Sequence, residues 1–208
     1  MRTFSAVLLL TLFSIVSIVP GFSKASGPGE FRTTKMGLFQ TVFSGDEGKS
    51  LAKGSPAVGV EFFRDAGGDI FRGYIRGRFG SSSGQQNFLD GTDKVLSPYT
   101  FYFGQGELGG MFFPVPRRES GTNLYLSGGG YVSYNQLSLS TSTTVNSLKT
   151  HQTSPGYGYS AAVGVEMLFG MSKKLLNFEM SYRQESAQLA GQTRFDLTGL
   201  TFCLSYGW

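Results

Sequence analysis

Cysteine is almost absent from this 208-residue chain, and the single Cys203 excludes an internal disulfide framework. Histidine is as scarce: His151 stands alone, no His, Cys or carboxylate residues repeat at ligand spacing, and neither a metal nor a cofactor is expected. Charged residues are only 15% of the chain, which leaves little for a basic nucleic-acid surface. Long apolar runs are missing too. After residue 25 nothing approaches about 18 uninterrupted apolar residues, so no membrane-spanning helix is expected there.

The first residues carry a different signal. Arg2 precedes an apolar run from Ala6 to Val19, Pro20 and Gly21 break it, and small residues occupy Ser23 and Ala25. This is the pattern of a secretory signal peptide over residues 1–25, cut after Ala25, with a single domain over 26–208. Without Arg2 and Lys24, 16 of the 18 basic residues face 14 acidic ones, so the exported chain is close to neutral and no nucleic-acid partner is expected. Nineteen Phe, ten Tyr and thirty Gly describe a β-protein with many turns and much aromatic surface.

Apolar and polar residues alternate in eight runs, near 34–43, 56–64, 69–80, 98–113, 122–139, 157–169, 174–188 and 194–208. Long and short connections alternate as well: 44–54, 81–97 and 140–156 are long, while 66–68, 114–121 and 170–173 are shorter. The brief connection 190–194 breaks that order. An antiparallel barrel with loops at one end and tight turns at the other has this rhythm.

Hairpin registers test the facing, because both strands must turn their apolar residues the same way. A turn centred on Ala66 and Gly67 pairs Phe62 with Phe71 and Val58 with Ile75, and sets Glu61 against Arg72 on the other face. A turn at Met171 and Ser172 pairs Met167 with Leu176 and Val165 with Phe178, with Glu166 meeting Asn177. A third, about Gly191, pairs Tyr182 with Leu200 and Phe178 with Leu204. One face is then apolar throughout, and the other carries Glu61, Arg72, Arg76, Arg78, Glu166, Asn177, Glu179 and Arg183.

Two runs fit less well. In 98–113, Phe101 and Phe103 share a face with Gln105 and Glu107, while Tyr102, Leu108 and Phe112 share the other; a β-bulge between Gly104 and Gly110 is expected to switch the facing. In 34–43, Met36, Leu38 and Val42 point outward in company with Gln40. The chain ends on "LTGLTFCLSYGW", where Leu200, Phe202, Leu204, Tyr206 and Trp208 fall on one face and Trp208 suits a membrane interface.

With the signal segment, the eight runs and the hairpin at 156–183, this ending resembles the small eight-stranded outer-membrane β-barrels of the OmpA/OmpX type. The resemblance implies an all-β transmembrane barrel in the outer membrane of a Gram-negative bacterium, with both termini periplasmic. It also implies partners: outer-membrane lipid, and during biogenesis the barrel-assembly machinery and periplasmic chaperones, with Leu200, Phe202, Leu204, Tyr206 and Trp208 as assembly signal and aromatic belt.

Chemistry is thin by comparison. His151 sits among Ser and Thr in 140–156 and reads as a solvated loop residue; no catalytic residue and no enzyme activity are expected. Cys203 reads as a small inward filler, and "SGGGY" at 127–131 lacks the Lys and helix of a phosphate loop. Glu61, Arg72, Arg76, Arg78, Glu166, Glu179 and Arg183 are expected to plug a narrow lumen with ion pairs rather than line a porin-like path. The first expected function is therefore a structural membrane anchor with exposed loops. An adhesin or ligand-binding protein acting through 81–97 and 140–156 is the second, with its surface ligand unknown. The third is a small transporter or lipid-modifying enzyme.

Overall fold

The computed structural model describes residues 31–45, 56–90, 93–118, 120–139, 151–169, 174–187 and 195–208; the expected signal segment 1–25 and the connection 190–194 lie outside them. Nine strands follow in chain order: β1 Phe31–Phe43, β2 Ala57–Gly67, β3 Phe71–Asp90, β4 Asp93–Phe112, β5 Gly121–Leu139, β6 His151–Phe169, β7 Lys174–Ala187, β8 Phe195–Asp196 and β9 Gly199–Gly207. Both β8 and β9 pair with β7 and are separated only by Leu197 and Thr198, so together they form the eighth stave of a barrel. Each stave is antiparallel to its neighbours, β6 pairs with β7, and β9 pairs with β1 to close the ring. Closure leaves no open sheet edge around the wall.

One row of paired residues fixes the geometry. From Phe39 it passes through Gly59, Gly80, Phe103 and Asn135 to Ser154 on β6. Followed the other way it passes through Cys203 and Glu179 to Gly164, ten residues further along the same strand. Eight staves with that stagger tilt by about 40° and enclose a lumen just wide enough for side chains.

Alternation then divides the wall into two faces. Leu38, Val60, Leu108, Val132, Val163, Phe178, Phe202 and Leu204 are exposed on the outside. Rings bound this band at both ends: Phe71, Phe112, Phe169 and Trp208 near the short turns, and Tyr102, Tyr134, Tyr157 and Tyr159 toward the other end. Tyr102 to Phe112 is ten residues of one strand, which at about 3.3 Å each and this tilt spans about 25 Å, the height of a lipid-facing apolar band.

Beyond the tyrosines the wall continues and its two faces exchange character. There Ser83, Gln85, Pro98, Thr100, Gln136, Ser138, Thr153 and Pro155 face outward. Phe39, Phe43, Ala57, Tyr99, Phe101, Phe103, Leu137, Leu139, Ala187, Leu197 and Cys203 form one buried cluster inside. The rings of Phe101 and Phe103 lie 5.8 Å apart, and Phe39 meets Phe103 at 5.9 Å.

Several expectations need correction. β4 holds continuous register with β3 and β5, so no bulge switches its facing; Phe101, Phe103, Gln105 and Glu107 all point inward. The phase expected for β1 holds, with Met36, Leu38, Gln40 and Val42 outward. Residues 81–90 and 93–97, expected as loop, pair as strands as far as Asp90 with Asp93. Residues 151–156 likewise belong to β6, while 140–150 lie outside the described residues. Ser, Gln and Gly read as loop because a strand beyond the apolar band has no lipid to demand apolar residues on its outer face.

The β2–β3 register is displaced by six residues from the one expected. β2 runs on to Gly67, whose φ of 146° suits the strand end, and the turn falls at Gly68, Asp69 and Ile70. Glu61 therefore pairs with Arg78 rather than Arg72. Because six is even, every side chain keeps its face. The β6–β7 and β7–β9 registers are as expected, including Met167 with Leu176, Glu166 with Asn177, and Tyr182 with Leu200.

Candidate functional site: the charged lumen

The inward face gathers twelve buried charges from the described residues. Lys35, Arg72, Arg76, Arg78, Arg117 and Arg183 stand against Glu61, Asp65, Glu107, Glu166, Glu179 and Glu185, and the formal charges cancel. A neutral, paired set is the arrangement in which ions can be buried without stranding one.

At the waist two arginines from β3 meet carboxylates from opposite sides of the barrel. Arg78 Nε donates to Glu61 Oε2 at 2.7 Å and its Nη2 to Glu179 Oε1 at 3.3 Å. Arg76 Nη2 donates to Glu179 Oε2 at 2.7 Å and its Nε lies 3.4 Å from Glu61 Oε2. Glu107 accepts from the Tyr74 hydroxyl at 2.5 Å and from Ser160 Oγ at 2.6 Å. Tyr125 donates to Glu179 at 2.8 Å, and its ring lies over Gly164, where an added Cβ would come within 2.1 Å of it. Gly164 thus makes room for a ring that holds the network.

Toward the short turns, Lys35 Nζ bonds Glu166 Oε1 at 2.5 Å and lies 3.5 Å from Asp65. Arg72 pairs with Asp65, its Nε donating at 2.6 Å. Arg117 comes from the β4–β5 connection, not from a strand, and its Nε reaches Glu166 Oε2 at 2.7 Å. Below the apolar cluster, the Glu185 carboxylate accepts from Ser133 Oγ at 2.5 Å, Gln105 Nε2 at 2.9 Å, Asn135 Nδ2 at 3.0 Å and Arg183 Nη2 at 3.1 Å.

All seven charges read from the sequence, Glu61, Arg72, Arg76, Arg78, Glu166, Glu179 and Arg183, are buried in the lumen. The partners differ: the expected Glu61–Arg72 pair is not the one formed, because Arg72 binds Asp65 one turn of the network away. Lys35, Asp65, Glu107, Arg117 and Glu185 were missed. The phase of β1 already placed Lys35 inward and that of β7 placed Glu185, so the signal was present for those two. Arg117 carried none, since alternation says nothing about a turn.

His151 lies on β6, not in a loop, and its Nδ1 is 3.0 Å from Ser138 Oγ on the exposed outer face. No hydrogen bond to a carboxylate orients the ring in this pair, and among the described residues no cluster of three His, Cys, Asp or Glu could hold a metal. Cys203 is buried at the waist with Sγ 3.1 Å from Glu61 Oε1. Leu200, Phe202, Leu204, Tyr206 and Trp208 form the outer face of the last strand, and Trp208 and Thr34 exchange both backbone hydrogen bonds at 3.0 Å. The final residue therefore completes the seam with β1.

No protein-family model and no curated protein matches the chain. Solved structures do. OprG, an outer membrane protein of Pseudomonas aeruginosa, aligns with a TM-score of 0.55 at 10% identity, covering 86% of this chain and 94% of that one. Ail, the attachment invasion locus protein of Yersinia pestis, aligns at 0.46 and 15% identity over 86% of this chain and 99% of its own. Neisserial surface protein A aligns at 0.43 and 13% identity over 88% and 97%. At such identities the likeness speaks to fold alone, and the chain has the fold of the small eight-stranded outer-membrane β-barrels.

Proposed function

We propose that the chain is an integral outer-membrane barrel of a Gram-negative bacterium and acts as a sealed anchor for its exposed segments, not as a pore. The observation that carries this reading is a lumen filled by a charge-neutral network and topped by a buried apolar cluster, inside a wall whose outer band fits lipid. An apolar constriction dewets and blocks ions, and an eight-stave lumen has no width to spare. Trp208 meets Thr34 at the short-turn end, which is the periplasmic side in this reading. The lipid of the outer membrane covers the band, and assembly machinery and chaperones read the terminal strand. Fractionation places the chain with outer-membrane lipid, and reconstituted protein leaves planar bilayers at baseline conductance; recovery as soluble protein, or steady single-channel currents, overturns the reading. For the assembly signal, Trp208→Ala lowers the yield of heat-modifiable barrel far more than Leu108→Ala does, and equal yields remove that role.

One observation favours a second reading, surface recognition through 81–97. Among the described residues β3 pairs with β2 only as far as Ser81 and β4 with β5 only from Tyr99, while β3 and β4 pair with each other out to Asp90 and Asp93 as a long hairpin. A long hairpin of this kind offers a surface for recognition on a rigid scaffold. Deleting 84–96 abolishes binding of the cells to host or matrix surfaces in this reading, and unchanged binding excludes it.

A further inference from the structure

We propose that the β4–β5 connection is a strap gating the short-turn end of the lumen, so that solvent reaches the charged waist from that side only. Among the described residues, four hydrogen bonds tie the backbone of the strap. Phe113 N donates to Ile70 O and Arg117 N to Asp69 O, both at 2.8 Å, tying it to the β2–β3 turn. Arg118 N donates to Asn123 Oδ1 at 2.8 Å, and Asn123 Nδ2 returns a bond to Arg118 O at 3.1 Å. Among the described residues of the strap, Arg117 is the side chain that enters the charged network, latched to Glu166 beside Lys35. Between these ties Val115 is exposed, and Pro114 and Pro116 have no backbone N–H with which to join a ladder.

The two ends are thus closed by different means. Swinging the strap away breaks one ion pair and a few turn hydrogen bonds and draws Phe113 out of a small buried cluster with Phe63, Tyr74, Met111 and Tyr125. Opening the other end means dispersing a buried cluster of packed rings and aliphatic chains. Local opening follows the end with fewer buried apolar contacts. The waist needs such an entrance. Nε and Nη1 of Arg76 and Arg183, Nη1 of Arg78, and the hydroxyls of Ser127 and Ser181 are buried without a hydrogen-bond partner among the described residues. Buried donors of this kind are met by water. At the strap end Thr33, Lys35, Asp65, Asn123 and Glu166 stand beside the small cluster of Phe63, Met111, Phe113 and Tyr125 and offer a wettable route past it, whereas the larger apolar cluster at the other end is dry.

Cys203 supplies a native reporter, because its thiol lies where the apolar cluster meets the waist, with Sγ against Glu61. The experiment measures its labelling by a small cationic methanethiosulfonate in vesicles, with orientation fixed by a rapidly labelled His151→Cys marking the loop side. Wild type labels slowly from the short-turn side and not from the loop side. Arg117→Ala accelerates labelling by on the order of tenfold when reagent is on the short-turn side and leaves the loop side unchanged, while Arg117→Lys stays near wild type. Should Arg117→Ala fail to give heat-modifiable barrel, Glu166→Gln, which loosens the latch from the strand side, carries the same expectation. Unchanged labelling in the folded variant, or equal acceleration from both sides, overturns the proposal.

Discussion

Along β4, the stretch from Gln105 to Phe112 turns Gln105 and Glu107 inward and Leu108 and Phe112 outward, whereas the stretch from Pro98 to Phe103 turns Tyr99, Phe101 and Phe103 inward and Pro98 and Thr100 outward. β5 repeats the exchange. Asn123 and Ser133 face in and Leu124 and Val132 out, then Leu137 and Leu139 face in and Gln136 and Ser138 out. The hydrogen-bond ladder runs through both stretches in one register. What changes is the surroundings. In the proposed outer-membrane setting, hydrocarbon outside the band demands apolar residues, and the lumen can hold ions because they satisfy one another. In the same setting water bathes the outside beyond the tyrosines, and the interior excludes it as a soluble barrel does.

The comparison breaks most sharply at the waist. Arg78→Ala leaves Glu61 buried without its closest partner, and loss of one member of a buried pair costs about 3–5 kcal/mol. The cycle with Glu61→Ala recovers about 1–3 kcal/mol of coupling, whereas Glu61→Ala and Arg72→Ala, whose side chains bind different partners, add within about 0.5 kcal/mol. Reversible unfolding in lipid vesicles measures both cycles. Coupling of Glu61 to Arg72 instead of Arg78 would restore the register expected from the sequence.

Next in size is the apolar end. Leu137 is wholly buried, and Leu137→Ala removes about 3 kcal/mol through lost transfer energy and the cavity left behind. Leu137→Asn costs at least as much, because it puts an unsatisfied amide where Ser133 and Asn135 are already committed to Glu185. A tolerant response of Leu137 to polar residues, like that of a lumen wetted throughout, would erase the distinction between the two halves.

The eight-stave barrel, its two faces and seven of the twelve lumen charges were legible in the sequence because a period of two is the strongest local signal a strand carries. Registers were legible where turn and alternation agreed, as at 170–173. They failed at Ala66 because alternation is blind to any even displacement, and small residues alone set the turn on Ala66 and Gly67. Phe101 and Phe103 looked like a break in facing because one polarity rule was applied across a boundary where the rule inverts. Arg117 was illegible: its role depends on a connection folding back under the barrel, a long-range event with no periodic trace.

The smallest predicted effect locates the boundary itself. Leu108 faces outward within the band, and an arginine there meets hydrocarbon, so Leu108→Arg costs about 2–4 kcal/mol if the site lies near the midplane. Thr100 faces outward on the same strand only eight residues away, beyond Tyr102, where the outer surface is polar. Thr100→Arg keeps its charge in water and costs less than about 1 kcal/mol. The two substitutions add the same side chain to the same face of the same strand, so propensity and ladder effects largely cancel in their difference. Unfolding both in vesicles therefore reads the environment alone. Matching penalties would mean that the apolar band reaches past Tyr102 and that the interior cluster lies within the membrane; two negligible penalties would mean that lipid does not cover this wall.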